Sequence, residues 1–237
     1  MAYGLSFEEV NKVTHPRKVE TGHGHRIDAI SEPEFSLQQF HFKNDASFKL
    51  PKTGGFLFVE AGKLICRSDK HISLVDGDVL EIPKNLDITL NSKKETLAYF
   101  FSGQSGIKKL KAKRTFDIRD KYWGRVESIF SENFTGKRIF MKAETQSSLE
   151  YHSHKKEAYV LQSGKLKVGL RIGRAENRSV ILSPGDIYVI RPGLMHMRIA
   201  LEDSVIIEVS TKDDDRDSHL VEDGRTYVHQ ETGSLNP

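Results

Sequence analysis

The chain has 237 residues, enough for one large domain or two of ordinary size. Hydrophobic residues make up 37% and charged residues 29% of it, a balance typical of soluble globular proteins and not of disordered ones. The net charge is +3 with acidic and basic residues interspersed, so we expect no binding to nucleic acid. No apolar run approaches the ~20 residues of a membrane helix, and the first residues do not resemble a signal peptide, which predicts a cytoplasmic protein without membrane contact.

In chain order, the first predicted element is a short helix in an N-terminal extension, where Ser6 caps the residues that follow it, 7–10. Short runs of alternating apolar residues come next, separated by Gly, Pro, Asn and Asp, which predicts strands and turns. Cys66 lies in one of these runs. As the one cysteine of the chain it excludes an internal disulfide, and we expect a buried thiol.

Two stretches of the first half recur in the second half. Residues 58–64 (FVEAGKL) resemble residues 159–166 (YVLQSGKL), and residues 75–83 (VDGDVLEIP) resemble residues 183–192 (SPGDIYVIRP). Each half thus has a strand, a G-K-L turn, further strands, a G-D turn and a strand that ends in proline, a pattern typical of antiparallel sandwiches and barrels. The sequence predicts an all-β protein of two tandem domains, residues 1–107 and 108–237, with the basic stretch 108–114 as a solvated connector.

A metal site is predicted in the second half, where residues 152–157 read HSHKKE and residues 192–196 read PGLMH. The predicted ligands are His152, His154, Glu157 and His196. In a strand, His152 and His154 would share one face, and a turn through residues 155–156 would bring Glu157 back to them. Three imidazoles and one carboxylate bind a divalent metal well and leave coordination positions open to water or substrate.

Two further residues share strand faces with the predicted ligands. Glu150 precedes His152 by two positions, and Arg198 follows His196 by two. We predict that both line a polar cavity. Glu150 would be a proton shuttle, a fifth ligand or an acceptor that orients a histidine, and Arg198 would contact a phosphate or a hydroxyl group.

The first half lacks these ligands. Asp87 stands four residues after Pro83, where the second half has His196 four residues after Pro192, and LPKT at residues 50–53 replaces the paired histidines. We expect the first half to bind no metal and to serve as a packing partner or a dimerisation surface, which predicts a homodimer.

The two spaced motifs resemble the motifs of the cupin superfamily, and the tandem arrangement resembles a bicupin with a degenerate first half. Residues 121 to 228 are similar to the cupin domain of type II phosphomannose isomerases, which carries W-G, S-L-Q-x-H-x-H-R-x-E-H-W, P-x-G-x-x-H and I-E-V. The corresponding segments here are WG at 123–124, SLEYHSHKKEAY at 148–159, PGLMH at 192–196 and IEVS at 207–210. This chain departs from that pattern at Glu150, at Lys155 and at residues 158–159, where the family has glutamine, arginine and a His-Trp pair.

The resemblance implies jelly-roll (double-stranded β-helix) barrels and a metal-dependent activity, for which three hypotheses stand. The first is an aldose–ketose isomerase acting on a sugar or sugar phosphate similar to mannose 6-phosphate, with zinc as the preferred metal and iron, manganese or nickel as alternatives. The second is a cupin dioxygenase that uses iron or nickel. The third is a non-catalytic module that binds a sugar or another small ligand. Metal content and oxygen consumption separate the first two, and turnover separates the first from the third.

Overall fold

The computed structural model describes residues 4–16, 18–21, 23–114 and 116–231. These residues form two compact units. The first unit comprises the described residues of 16–117 and 129–136, and the second unit those of 1–15, 118–128 and 137–237. The compact units and the predicted domains divide the chain at different residues: residues 4–15 belong to the second unit, and residues 108–114, 116–117 and 129–136 belong to the first.

The first unit contains two antiparallel sheets built from eleven strands of the described residues. The strands are β1 (Lys18–Thr21), β2 (Gly24–Ser31), β3 (Phe35–Phe42), β4 (Ala46–Lys49), β5 (Gly55–Ala61), β6 (Lys63–Arg67), β7 (His71–Val75), β8 (Val79–Ile82), β9 (Thr89–Ser92), β10 (Thr96–Gly103) and β11 (Lys111–Lys113). One sheet has the order β1-β2-β3-β10-β5-β8-β11, and the other has the order β4-β9-β6-β7. Aromatic side chains that alternate along β3 fill the space between apolar faces, with the rings of Phe40 and Phe48 5.4 Å apart.

The second unit repeats this arrangement and adds the predicted short helix. Its elements are α1 (Phe7–Val10), β12 (Asp117–Lys121), β13 (Gly124–Ser131), β14 (Phe134–Met141), β15 (Leu149–His152), β16 (Glu157–Ser163), β17 (Leu166–Arg171), β18 (Arg178–Leu182), β19 (Ile187–Ile190), β20 (Met195–Ala200), β21 (Ser204–Thr211), a 3-10 helix (Asp215–Asp217) and β22 (Ser218–Glu222). The sheets have the orders β12-β13-β14-β21-β16-β19 and β18-β17-β20-β15-β22. The tips of β13 and β14, residues 129–136, are the part that belongs to the first unit.

The N-terminal segment is part of the core of the second unit. Ser6 caps α1 by accepting a hydrogen bond from the backbone N–H of Glu9, as predicted. Val10 is buried, and its carbonyl accepts a hydrogen bond from the Tyr188 hydroxyl at 2.5 Å. Thr14 then forms an antiparallel bridge with Ile187. The unit is therefore built from segments far apart in the chain.

The all-β prediction is confirmed. Strands that the sequence repeat makes equivalent have identical patterns of burial: β5 and β16, β8 and β19, and β10 and β21. The two G-K-L turns also match, because Gly62 (φ 96°) and Gly164 (φ 85°) both adopt the left-handed conformation. A Cβ atom at either position would collide with a backbone carbonyl, that of Glu95 or that of Asp203. No helix formed by the described residues is long and apolar enough to span a membrane.

Cys66 on β6 is buried, and we predict that it is chemically inert in the native protein. Burial raises the pKa of its thiol to about 12, so the reactive thiolate is scarce at neutral pH. Alkylation by iodoacetamide at pH 8 should be roughly a hundredfold or more slower in the folded protein than in urea. Mass spectrometry of timed samples measures both rates, and equal rates would contradict the burial of this thiol.

Candidate metal centre

Three side chains that carry metal-ligand atoms meet on the sheet of the second unit that contains β15. Glu150 and His152 lie two positions apart on β15, so they project from the same face of the strand. β15 pairs with β20 in a register that places Glu150 opposite His196. One ligand atom from each of these three residues lies within 4.8 Å of the other two, a spacing that one ion can bridge after small side-chain movements.

Both imidazoles are oriented by backbone carbonyl groups. The Nδ1 of His152 is 2.9 Å from the carbonyl oxygen of Asp217, and the Nδ1 of His196 is 3.0 Å from that of Leu194. A carbonyl oxygen only accepts hydrogen bonds, so each Nδ1 carries the proton and donates it. This leaves the Nε2 atoms to face the cluster, an arrangement common among metal-binding histidines.

Glu157, the first residue of β16, lies between the two imidazoles. One carboxylate oxygen is 3.2 Å from the Nε2 of His152, and the other is 3.4 Å from the Nε2 of His196. The same carboxylate accepts a hydrogen bond from the Tyr159 hydroxyl at 2.7 Å and contacts the Lys155 ammonium at 2.5 Å. Burial alone would raise the pKa of Glu157, but the Lys155 ammonium outweighs it and holds that pKa well below its ordinary value.

His154 is not part of this cluster. The predicted strand through His152 and His154 is wrong, because β15 ends at His152 and residues 153–156 leave the sheet. The backbone N–H groups of Ser153, His154 and Lys155 all donate to the carboxylate of Asp217, at 2.8, 3.1 and 2.8 Å. This turn exposes the His154 side chain and buries that of Lys155 instead.

A network of buried charges lies beside the imidazoles. The Lys155 ammonium is 2.8 Å from Asp213 and 3.4 Å from Glu208, and the Lys137 ammonium is 2.8 Å and 3.5 Å from the same two carboxylates. The pKa of Lys155 is raised well above its ordinary value, since these carboxylates and that of Glu157 outweigh the opposing effect of burial. Burial would raise the pKa of Asp213, yet the two lysines lower it to about 2. Lys155 and Asp213 are therefore both charged near neutral pH.

Arg198 is buried next to the cluster, two residues beyond His196 on β20. Its guanidinium lies 3.7 Å from a carboxylate oxygen of Glu150 and 3.7 Å from one of Glu208, and it donates to the Tyr159 hydroxyl at 3.4 Å. Burial would raise the pKa of Glu150, but the Arg198 guanidinium outweighs it, so this pKa is lowered. Glu150 therefore faces the cluster as a carboxylate.

A polar cavity of about 460 Å³ opens onto these groups, within the range of small-molecule sites. Its wall carries charged, hydroxyl and aromatic side chains. The lining residues are Arg119, Asp120, Lys121, Tyr122, Trp123, Val126, Ser128, Lys137, Ile139, Ser147, Ser148, Glu150, His152, Lys155, Glu157, Arg198, Glu208, Asp213, Asp214, Asp215, Ser218 and Arg225. Glu150 and Arg198 both lie on this wall, whereas His154 does not.

The residues of the first unit that correspond in sequence or in strand register to the cluster have different side chains. Asp87, which follows Pro83 by four residues as His196 follows Pro192, lies before β9, is exposed and accepts a hydrogen bond from Lys52 at 2.7 Å. That pair lies at the surface and contains no imidazole. The strand register instead places Leu50 and Ile88 where the second unit has Glu150 and His196, and both of these side chains are buried and apolar.

The donor set suits a divalent metal. The Nε2 of His196 is buried and has no hydrogen-bond partner, although an unpaired polar atom in a protein interior is costly. A metal ion would satisfy this lone pair. With the Nε2 of His152 and the carboxylate of Glu150, it would have two nitrogen ligands and one oxygen ligand, and it would keep positions open toward the cavity.

Comparison with known proteins bears on the fold. No protein-family profile and no curated protein sequence matches the chain. Among solved structures, oxalate decarboxylase of Bacillus subtilis, studied for its Mn(II) centres, superposes with a TM-score of 0.69 at 8% identity, over 87% of this chain and 77% of that one. The same enzyme at pH 4.6 gives a TM-score of 0.65 at 10% identity, over 84% and 74% of the two chains. The chain has the cupin fold.

Sequence reasoning missed the buried charges that surround the cluster. Glu208 occupies a position of β21 whose neighbours are apolar, and a lone carboxylate in such a run is a signal for a buried functional group. Lys155 also carries a signal, since it replaces the arginine of the motif that this chain resembles. Asp217 gave none, because its role depends on contacts with a turn more than sixty residues earlier.

We predict that Asp217→Ala destabilises the second unit by about 2 kcal/mol, because three backbone N–H groups lose a charged acceptor. Urea unfolding of the purified variant measures the change. Asp215→Ala is the matched control: its carboxylate is 90% exposed and lies 3.7 Å from Arg119, so its loss should change stability by less than about 0.5 kcal/mol. Equal effects of the two substitutions would argue against an anchoring role for Asp217.

Proposed function

We propose that the protein binds a divalent metal in the second unit and isomerises a sugar or sugar phosphate between its aldose and ketose forms. The observation that carries the proposal is the cluster of Glu150, His152 and His196 beside a polar cavity of sugar size. When bound there, a metal would supply Lewis-acid polarisation of a substrate carbonyl. The similarity to phosphomannose isomerase motifs in residues 121–228 supports this reaction class.

Glu150 has two carboxylate oxygens, so it can hold the metal with one and is the best-placed group to move a proton between adjacent substrate carbons with the other. Its side chain is 25% exposed to the cavity, and its two oxygens contact Ser218 at 2.6 Å and Arg198 at 3.7 Å. Glu157 and Glu208 are buried and compensated by cations, which makes them poorer acceptors of a proton. Arg198 is placed to hold a substrate oxygen, since its Nε has no hydrogen-bond partner and its guanidinium lines the cavity.

The preferred metal is zinc, which two imidazoles and a carboxylate suit. Manganese is the first alternative, because the structurally similar oxalate decarboxylase has Mn(II) centres. Metal analysis of protein purified without a histidine tag identifies the ion. A panel of aldoses, ketoses and their phosphates, assayed in both directions, then tests isomerisation. Interconversion that is lost with a chelator and restored by the metal supports the proposal, and a metal-loaded protein without turnover on the panel contradicts it.

A second candidate function follows from the ligand set itself. Two histidines and one carboxylate with open positions are also typical of non-haem Fe(II) oxygenases. Iron in the purified protein, together with oxygen consumption on adding a chelating substrate, would favour this class over the isomerase.

The variant Glu150→Gln tests the role of Glu150. If the metal is retained and isomerase activity is lost, Glu150 transfers the proton, whereas loss of the metal identifies Glu150 as a ligand.

A further inference from the structure

Lys155 is the most unusual neighbour of the cluster. Its side chain is 4% exposed, and its ammonium group contacts the carboxylates of Glu157, Asp213 and Glu208 at 2.5, 2.8 and 3.4 Å. A buried lysine is rare unless carboxylates surround it. This lysine therefore acts as an internal counter-ion on the wall of the cavity.

Lys155 forms an ion pair with Glu157, the residue whose carboxylate the HxHxxE motif would offer to a metal. The Glu157 oxygen closest to Lys155 is also the one 3.2 Å from the Nε2 of His152. The other oxygen accepts the Tyr159 hydroxyl at 2.7 Å. Both oxygens are thus engaged, and a cation that approached Glu157 would meet the positive charge of Lys155 at contact distance.

The carboxylate of Glu150 is less closely paired with a cation than that of Glu157. Its nearest cation, Arg198, is 3.7 Å away, and its carboxylate lies with the Nε2 atoms of His152 and His196 in one potential ligand group. The three residues that can share an ion without displacing a lysine are therefore Glu150, His152 and His196.

We propose that Lys155 withdraws Glu157 from the metal-ligand set and lowers the affinity of the centre for divalent cations. The proposal rests on the proposed metal binding. Lys155 is a positioning residue, because it acts on the metal through Glu157. Its positive charge takes the place of part of the positive charge that the metal would otherwise supply. Lys155 neutralises carboxylates that a bound ion would otherwise have to neutralise.

The test compares Zn²⁺ affinity in Lys155→Met with that in Lys137→Met. Both lysines contact Glu208 and Asp213, but Lys137 has no such contact with Glu157, so the control removes the same charge from the same network. Competition with a chromophoric chelator gives the Kd of each folded protein. We expect the Kd of Lys155→Met to fall at least tenfold, a change of about 1.4 kcal/mol, and that of Lys137→Met to fall less than threefold.

A charge-retaining variant checks that packing is not the cause. Lys155→Arg should keep a Zn²⁺ Kd within threefold of the wild-type value. An unchanged or higher Kd in Lys155→Met overturns the proposal, as does an equal fall in Lys137→Met. If Lys155→Met does not fold, Lys155→Met/Asp213→Asn removes one charge of each sign, and the proposal fails unless this double variant binds Zn²⁺ at least tenfold more tightly than Asp213→Asn alone.

The outcome is separable from that of the proposed function. A wild-type protein that binds Zn²⁺ and isomerises sugars, with no tightening in Lys155→Met, would refute the role of Lys155 alone. A wild-type protein without turnover would refute the isomerase, while tighter Zn²⁺ binding in Lys155→Met would still establish the role of the lysine.

Discussion

His196→Ala is expected to lower the affinity for divalent metal by more than about 100-fold, while His154→Ala changes it less than threefold. The Nε2 of His196 is buried, has no hydrogen-bond partner and lies in the ligand group with Glu150 and His152. The His154 side chain is exposed and lies outside that group. Competition titrations with Zn²⁺ and a chelating indicator measure both dissociation constants.

The comparison is decisive because the motif alone predicts similar losses for the two histidines. Circular dichroism should show that both variants keep the fold, since apolar strand faces, and not the metal, dominate the core. If His154→Ala lost metal as completely as His196→Ala, residues 153–156 would have to rearrange on metal binding, and the ligand set described above would be wrong.

Glu208→Gln is expected to lower the free energy of unfolding by about 3 kcal/mol, the largest effect on stability that we predict for a single site. Its carboxylate is 2% exposed and lies 3.4 to 3.7 Å from Lys155, Lys137 and Arg198. The amide keeps the size of the side chain but removes the negative charge, so three buried cations lose part of their compensation.

Urea unfolding gives the change through the midpoint of the transition and its slope. The matched control is Glu202→Gln, since Glu202 is exposed on the turn before β21 and its neutralisation should cost less than about 0.5 kcal/mol. A loss below about 1 kcal/mol in Glu208→Gln would show that the cations are satisfied without it.

The architecture could be predicted from local patterns because the strands keep their periodicity. The repeated G-K-L motif at Gly62 and Gly164 predicts the turn geometry, since only a residue tolerant of positive φ fits there. Its recurrence in the second half indicates the duplication. Membership of residues 4–15 in the second unit could not be predicted, because it depends on contacts such as that between Val10 and Tyr188, 178 positions apart.

The site was predictable in part. Alternation along β15 and β20 correctly groups Glu150 with His152 and His196 with Arg198 on strand faces, because side chains repeat every second residue. Alternation cannot show where a strand ends. The turn at residues 153–156 is set by Asp217, a distant residue, and it exchanges His154 for Lys155 at the buried position.

The dispersed origin of the second unit has a consequence for synthesis on the ribosome. All of the first unit, residues 16–117 and 129–136, has been made once residue 136 has emerged, so this unit can fold early. Residues 4–15 are translated before the first unit, yet the Tyr188 hydroxyl that donates a hydrogen bond to the Val10 carbonyl is made much later. Val10 can therefore be buried only late in translation, when the second unit closes around it.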